Sequence, residues 1–194
     1  MWRSDEELML RYRDGDIDAF EILYRRYEKP LFDFIYRMVM NPSEAENLYQ
    51  ETFYRLIRSK KKYKVTAQFK TWLFQIAINL CHDRLRRMKH RSHLSLNALV
   101  TSQNNGGVEY QEFISDPSSD LDKYVESEEL VSLIKGAIAS LSEKERLVFV
   151  MKEYQGMKFS EIADILNCPI GTLLSLNHRA EEKLKKILLK YVGD

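Results

Sequence analysis

The chain has 194 residues, 44% of them apolar, which is enough to bury one or two compact cores. Its 30 lysine and arginine residues nearly balance 29 acidic ones, so composition gives no reason to expect a uniformly basic surface. The two cysteines lie far apart, which argues against a disulfide framework and a thiolate metal site. We expect no metal and no cofactor. Because no signal peptide and no long apolar run is present, we also expect a cytoplasmic protein without membrane insertion.

The charges are segregated along the chain. Residues 55–94 carry 12 basic and 1 acidic side chains, whereas 1–54 carry 7 basic and 12 acidic and 95–129 carry 1 basic and 8 acidic. A local basic block of this kind suits a polyanion site, since only that surface must neutralise phosphates. A solvated helical face is the alternative interpretation.

Local signals predict helices from the first residues onward. Ser-x-x-Glu capping patterns at Ser4, Ser43 and Ser142 predict helix starts. Asp14-Gly15 predicts the end of the first helix, and Pro30 predicts an interruption of the second.

Apolar stripes at helical spacing continue over residues 45–57 and again from residue 69 to the basic run near residue 90. Residues 92–120 lose this periodicity and gather Ser, Asn, Gly, Asp and Pro. We therefore predict an all-α protein of two small helical domains, 1–94 and 128–194, joined by an acidic flexible linker at 95–127.

A helix-turn-helix pattern extends from Ser160 to Leu188. Ser160 is the predicted cap of its first helix, Asn167-Cys168-Pro169 form the break, and the longer second helix would read a major groove. Such pairs of helices also occur as plain packing units, so this pattern alone does not settle DNA binding.

Three segments together resemble one known family. Leu141–Thr172 resembles region 4 of sigma factors, Ala45–Arg58 resembles the region 2.2 helix of the extracytoplasmic-function (ECF) type, and Phe69–Arg87 resembles the region 2.3–2.4 helix. The resemblance covers roughly residues 5–94 and 128–189, in the expected order. It implies a non-enzymatic subunit that binds core RNA polymerase and directs promoter-specific transcription initiation.

The resemblance also implies roles for individual residues. The expected contacts to the clamp helices of the largest polymerase subunit are Glu46, Asn47, Gln50 and Glu51. The expected contacts to melted −10 DNA are phosphate-neutralising, stacking or base-binding residues, namely Lys60, Lys61, Lys62, Tyr63, Lys64, Lys70, Phe74, Asn79, Arg84, Arg86 and Arg87. The expected contacts to the −35 duplex are Thr172, Ser175, His178, Arg179 and Lys183. The flap of the second-largest subunit and an anti-sigma factor are the other expected partners.

The second helix of the helix-turn-helix departs from the family pattern. Family members typically read GTVKSRLHRA, whereas this chain has Leu174 and Leu176 in place of two basic residues and Asn177 in place of an apolar one. The two leucines would either touch thymine methyls or form an apolar patch for a protein partner. Two alternative functions follow: a sigma-like adaptor with weakened −35 readout, or a stand-alone helix-turn-helix regulator, which leaves residues 45–87 unexplained.

Overall fold

The computed structural model of the protein describes residues 4–65, 68–96 and 121–192, with side chains for 4–65, 68–88 and 130–190. The helices in chain order are α1 Asp5–Arg13, α2 Ile17–Val39, α3 Pro42–Ser59, α4 Phe69–Leu96, α5 Leu121–Ser140, α6 Glu143–Phe149, α7 Phe159–Leu166 and α8 Ile170–Val192. No strand occurs within these described ranges, so the prediction of an all-helical protein is confirmed. Over the same ranges no helix combines the length and apolarity needed to cross a membrane.

The turn from α1 into α2 follows its predicted signals. The backbone N–H of Glu7 donates to Ser4 Oγ at 3.2 Å at the start of α1. Gly15 has a φ of 113°, which favours glycine, and so allows the chain to reverse within two residues. Asp16 Oδ1 then accepts the N–H of Ala19 at 3.2 Å, which caps α2.

Two other helices begin earlier than predicted. At α3 the capping side chain is Asn41, whose Oδ1 accepts an N–H at 2.9 Å, and Ser43 lies inside the helix. Proline follows Asn41 and fits the first helical turn, where its missing N–H removes no helical bond. At α7 the helix starts at Phe159, and Glu161 Oε2 accepts the N–H of Lys158 at 2.6 Å, so Ser160 is not the cap.

Helix α2 continues through Pro30, where the sequence predicted an interruption. Proline removes one helical hydrogen bond at a cost of about 3 kcal/mol. Leu23 and Tyr27 before it, and Leu31 and Phe34 after it, are all buried in the same core. Burying this apolar surface offsets the local cost, because each large side chain contributes roughly 1.5–3 kcal/mol.

Helices α1–α4 form the N-terminal unit, whose core is rich in aromatic rings. The ring of Phe53 lies 4.8 Å from that of Tyr24 and 5.1 Å from that of Tyr49, between centroids. Phe34 and Phe74 meet edge to face at 5.2 Å. These contacts fix α3 and α4 against α2 and so determine which sides of both helices face outward.

Helices α5–α8 form the C-terminal unit. The predicted capping box is present at α6, with the Ser142 N–H donating to Glu145 Oε2 at 3.1 Å and the Glu145 N–H donating to Ser142 Oγ at 3.4 Å. Asn167, in the left-handed conformation with φ 47°, ends α7, and α8 begins three residues later. This is the helix-turn-helix break that the sequence predicted.

Helices occupy both ends of the range 95–127 that was predicted as a linker. Helix α4 extends to Leu96 and α5 begins at Leu121. Residues 97–120 lie outside the described residues.

The two units pack against each other. The guanidinium of Arg146 donates through Nη1 to Met38 O at 2.9 Å, and that of Arg37 lies 4.0 Å from the ring centroid of Tyr154. Buried apolar residues of α4 and α7 belong to one continuous cluster. The independent domains predicted from the sequence therefore share an interface in this conformation.

Candidate polymerase and nucleic-acid interfaces

Helix α3 presents a polar face to solvent. Ala45, Thr52 and Phe53 turn inward and are buried, which leaves the four predicted polymerase contacts on the opposite side. Glu46, Asn47 and Gln50 are exposed. Glu51 is partly exposed, and its Oε1 accepts from Arg55 Nε at 2.7 Å.

Two apolar side chains extend this polar face toward the end of α3. Tyr54 is 53% exposed and Ile57 is 41% exposed. The sequence placed Ile57 in the inward stripe, which is wrong, because Phe53 and Leu56 already fill that side of the helix. Exposed apolar residues beside polar ones are typical of a protein-binding surface, so Tyr54 and Ile57 join the candidate polymerase face.

The lysine loop, Lys60–Lys64, follows α3. Lys61, Lys62 and Lys64 are exposed and free to meet phosphates. Lys60 is only partly exposed, because its Nζ lies 4.3 Å from the Tyr12 ring centroid and 3.5 Å from the Tyr12 carbonyl oxygen. Lys60 therefore anchors the loop to α1.

Tyr63 does not offer the stacking face that the sequence predicted. Its side chain is 3% exposed, and its ring lies 5.1 Å from Trp72 and 6.3 Å from Phe69. Burial raises the pKa of Tyr63 to about 12. The ring fastens the lysine loop to the start of α4, and the partly exposed aromatic residue beside the loop is Trp72, which belongs to the apolar stripe that begins at residue 69.

Phe74 is likewise completely buried, because it packs against Phe34 and lies at the cleft between the two units. Neither of its faces is open to a base in this conformation. Lys70, one turn earlier, donates from Nζ to Gln155 O of the C-terminal unit at 3.4 Å. The contact with the C-terminal unit therefore engages Lys70, whereas Phe74 is covered by the core of its own unit.

A polar stripe runs along α4, and its far end meets the C-terminal unit, where His82 Nε2 lies 3.7 Å from Glu143 Oε1. Asn79 is exposed and accepts through Oδ1 from Gln75 Nε2 at 3.4 Å. His82 and Arg86 continue the same side of the helix at spacings of three and four residues. Gln75 was absent from the predicted site, although its i, i+4 relation to Asn79 was a usable signal.

The arginines at the end of α4 have different environments. Arg84 is 24% exposed and pairs with Glu44, which joins α4 to α3, so its charge is already neutralised within the fold. Arg86 is 80% exposed, with Asp83 at 3.0 Å, and Arg87 is exposed. Helical rise puts Arg86 about 26 Å from Phe69 along α4, so the basic block forms two separate positive surfaces.

Helix α8 exposes most of the predicted −35 contacts. Thr172, Ser175, His178 and Arg179 all face solvent, and Ser175 Oγ donates to Gly171 O at 3.0 Å. Their side of the helix lies opposite the buried stripe that begins with Leu173. This is the geometry in which the second helix of a helix-turn-helix can enter a major groove.

Lys183 differs from the other four. Its Nζ lies 2.9 and 2.7 Å from the two carboxylate oxygens of Glu145, which is 6% exposed. These hydrogen bonds, together with those from Ser142, hold the pKa of Glu145 below its usual range. Lys183 therefore fastens α8 to α6 and is not a free cation for phosphate.

The departures from the family pattern separate into two kinds. Leu176 is partly buried and packs against the core, and Asn177 is 6% exposed. Leu174 alone of the three points outward, at 49% exposure. The sequence treated Leu174 and Leu176 alike, but the turn of α8 puts them on different sides.

No cluster of three or more histidine, cysteine, aspartate or glutamate side chains that would hold a metal ion occurs in the part of the chain that the structure describes.

Comparisons with known proteins agree with this arrangement. The family model of Sigma-70 region 2 matches residues 23–91, and that of Sigma-70, region 4 matches residues 132–184. The first range contains α3, the lysine loop and the polar stripe of α4, and the second contains the helix-turn-helix.

Relatives match almost end to end. The chain is 34% identical over 187 residues to the ECF RNA polymerase sigma factor SigW of Bacillus subtilis (strain 168), covering 94% of this chain and 98% of SigW. It is 30% identical over 182 residues to the ECF RNA polymerase sigma-E factor of Escherichia coli (strain K12), covering 93% and 92% respectively. The fold resembles that of the sigma factor RpoE in complex with the anti-sigma factor NepR from Bartonella quintana, with a TM-score of 0.65, 22% identity, and coverage of 87% and 96%.

The sigma factor family has no catalytic activity of its own. The chain therefore belongs to the ECF sigma factors of the sigma-70 family, which bind core RNA polymerase and direct transcription initiation through regions 2 and 4.

Proposed function

We propose that this sigma factor divides promoter recognition among three surfaces. The polar face of α3 binds the clamp helices of the largest polymerase subunit. The lysine loop and the polar stripe of α4 hold the melted −10 strand, and the exposed face of α8 reads the −35 duplex. The observation that carries this proposal is that one chain exposes the polar face of α8, a helix that can enter a DNA major groove, and separately a lysine loop beside the partly exposed Trp72.

The proposed polymerase contact rests on polar side chains of α3 that are exposed and do not pack against the rest of the fold. Glu46, Asn47 and Gln50 are exposed, whereas the opposite side of α3 is buried. Tyr54 adds an aromatic surface to the polar one, a combination enriched at protein interfaces. Replacing Asn47 and Gln50 together by arginine should abolish binding to core polymerase, whereas Glu21→Ala, on the exposed side of α2, should leave it unchanged.

The proposed −10 contact uses fewer residues than the sequence indicated. Lys61, Lys62 and Lys64 supply the exposed positive charge at the loop, and Asn79 supplies a hydrogen-bonding group on α4. Trp72 takes the stacking role, since a partly exposed ring beside cations suits an unpaired base. Stacking contributes roughly 1–3 kcal/mol per base, which is comparable to the cost of extruding one base, so melting needs no nucleotide hydrolysis.

Access to the remaining −10 residues depends on the contact between the units. Lys70 is bound to the C-terminal unit in this conformation, and Phe74 is buried against Phe34 of its own unit. We infer that Lys70 reaches DNA only after α7 and the turn before it move away from α4, whereas Phe74 stays in the core. Binding to polymerase would supply the energy for that separation.

A reconstituted transcription assay tests the proposed function. Core polymerase and this chain should initiate at discrete promoter sites, and Lys61→Ala with Lys62→Ala should reduce open-complex formation at least tenfold. The matched control is Arg25→Ala with Lys29→Ala, which removes two exposed cations from α2 of the same unit. Equal open-complex formation by both double variants would contradict the role of the lysine loop.

One observation favours the adaptor as a second candidate function. Lys183 is bound to Glu145, and Leu174 stands where family members carry a basic residue, so Arg179 is the remaining lysine or arginine among the predicted −35 contacts. Fluorescence anisotropy of −35 duplexes with the assembled holoenzyme distinguishes the two functions. Sequence-selective binding that weakens with salt supports promoter reading, whereas core binding without DNA selectivity supports the adaptor.

We also propose that region 4 binds the flap of the second-largest polymerase subunit and that an anti-sigma factor restrains this protein in the cytoplasm. The RpoE structure was solved as a complex with such a factor, NepR, which supports this proposal. Purifying the tagged protein from its own cells should yield one stoichiometric partner besides polymerase. Removal of that partner should raise transcription from the promoters mapped in the reconstituted assay.

A further inference from the structure

The exposed face of α8 contains an apolar contact point among polar groups. Leu174 is 49% exposed, and Ile170, one turn earlier at the start of the helix, is 45% exposed. His178, one turn after Leu174, is exposed beside it, and Thr172 and Ser175 are exposed further round the helix. Leu189, the next large exposed apolar residue of α8, lies about 22 Å further along the helix by its rise.

This arrangement does not resemble a protein-docking patch. Such patches are contiguous and cover a few hundred Å², whereas here two aliphatic side chains lie at one edge of a face that otherwise exposes hydroxyl, imidazole and guanidinium groups. The exposed side chain of Arg179 adds positive charge on the other flank of this face. A mainly polar helix face with a cation on one flank and a small apolar edge on the other complements the major groove of duplex DNA.

The major groove has one prominent apolar feature, the C5-methyl group of thymine. Every other base edge presents hydrogen-bond donors or acceptors there. Leu174 can contact a methyl group but can satisfy no donor or acceptor. A guanine or cytosine edge opposite it would lose its water without gaining a partner, which disfavours those bases.

We propose that Leu174 is a specificity-determining residue that contacts the methyl group of a thymine in the −35 element. The inference rests on the proposed function of α8 as the −35 reader and deepens it. A basic residue at this position would bind phosphate or a guanine edge, so the leucine changes the preferred base to thymine.

The experiment uses the holoenzyme and selected DNA. A −35 duplex is first selected from a randomised library by core polymerase carrying this chain. Each thymine of the selected element is then replaced by deoxyuridine, which lacks only the methyl group. At one position the replacement should weaken binding about 3- to 5-fold, the effect of burying one methyl group.

The Leu174→Ala variant completes the test. It should bind the thymine duplex about 3- to 5-fold more weakly, and the deoxyuridine replacement should then change its affinity less than about 1.5-fold. Leu189→Ala is the control, since it removes another exposed leucine from the same helix. Leu174→Lys should select guanine at the same position.

The outcomes separate the two proposals. If the holoenzyme selects a −35 sequence but deoxyuridine is neutral at every thymine, the assignment of Leu174 is wrong and promoter reading stands. The same holds if Leu174→Ala retains the full response to the methyl group. If no −35 sequence is selected at all, both the assignment and the proposed role of α8 fail.

Discussion

Asn177 is a polar residue in an apolar position, and its replacement by leucine should stabilise the protein. The inward side of α8 consists of Leu173, Asn177, Ala180 and Leu184, all buried. Asn177 Nδ2 donates to Glu181 Oε1 at 2.6 Å. Its Oδ1, also buried, has no hydrogen-bond partner among the described residues.

The expected magnitude follows from these environments. A buried acceptor without a partner costs about 1–3 kcal/mol. Leucine has the same branching and number of side-chain heavy atoms as asparagine and suits the apolar surroundings, although its methyl groups are larger than the amide. The lost hydrogen bond to Glu181 costs less, because that carboxylate is on an exposed residue and regains water. Asn177→Leu should therefore raise the free energy of unfolding by about 1–3 kcal/mol.

Urea unfolding followed by circular dichroism measures the effect. The midpoint should rise without a change in slope, and Tm should increase by about 2–4 °C per kcal/mol for a chain of this size. Asn177→Asp is the control, because it keeps the shape but adds a charge beside Glu181 and should destabilise. A loss of stability in Asn177→Leu would refute the reasoning, since it would mean that the amide oxygen is satisfied in solution.

Three further changes test other contacts. Lys183→Met removes the partner of the buried Glu145 carboxylate and should lower the free energy of unfolding by about 1–2 kcal/mol at pH 7, a range reduced because the lysine is half-exposed. The folded-state pKa of Glu145 is lowered below the ordinary value of 4.5, so this stabilisation is present above that value and is lost as pH falls through the folded-state pKa, as urea titrations in the acid range would show. Arg146→Ala removes hydrogen bonds to three backbone carbonyls, one in the N-terminal unit, and should cost about 1.5–3 kcal/mol in the same titrations. Thiol alkylation at pH 8, followed by mass spectrometry, should label Cys168 in the native protein and Cys81 only after unfolding, because burial raises the pKa of Cys81 to about 12.

Each of these tests has its own control. Lys186→Met, an exposed lysine on the same helix, should leave stability unchanged across the pH range. Arg146→Lys keeps the charge but cannot reach all the carbonyls, so it should recover only part of the loss. A constant difference between Lys183→Met and the unaltered protein down to pH 3, or equal labelling of both thiols, would contradict the corresponding contact.

Much of the helix arrangement could be predicted from the sequence because its signals are local. Ser4, Asp16 and Ser142 cap helices through hydrogen bonds spanning three residues, and Asn167 ends α7 with a bond to a carbonyl four residues back. The interruption predicted at Pro30 was wrong because the outcome there depends on distant contacts. Its local cost is real, but distant core contacts on both sides of it decide that α2 continues.

The candidate site was harder to predict, because charge and residue type do not reveal which groups are already occupied. Lys60 and Lys61 are neighbours in a run of three lysines, yet only Lys60 contacts the ring of Tyr12, 48 positions away. Tyr63 fits the pattern of a stacking residue, and only its packing on Trp72 shows that its faces are covered.

The sequence by itself determined the family, the helical class, and the order of the polar α3 segment, the basic segment and the helix-turn-helix, because motif order and periodicity are properties of the chain. Only the tertiary structure decided which basic residues remain available. Arg84 is bound to Glu44 and Lys183 to Glu145, partners 40 and 38 positions apart. The physical reason is that a salt bridge or a buried ring depends on distances in space, and the fold brings together residues whose separation along the chain carries no signal.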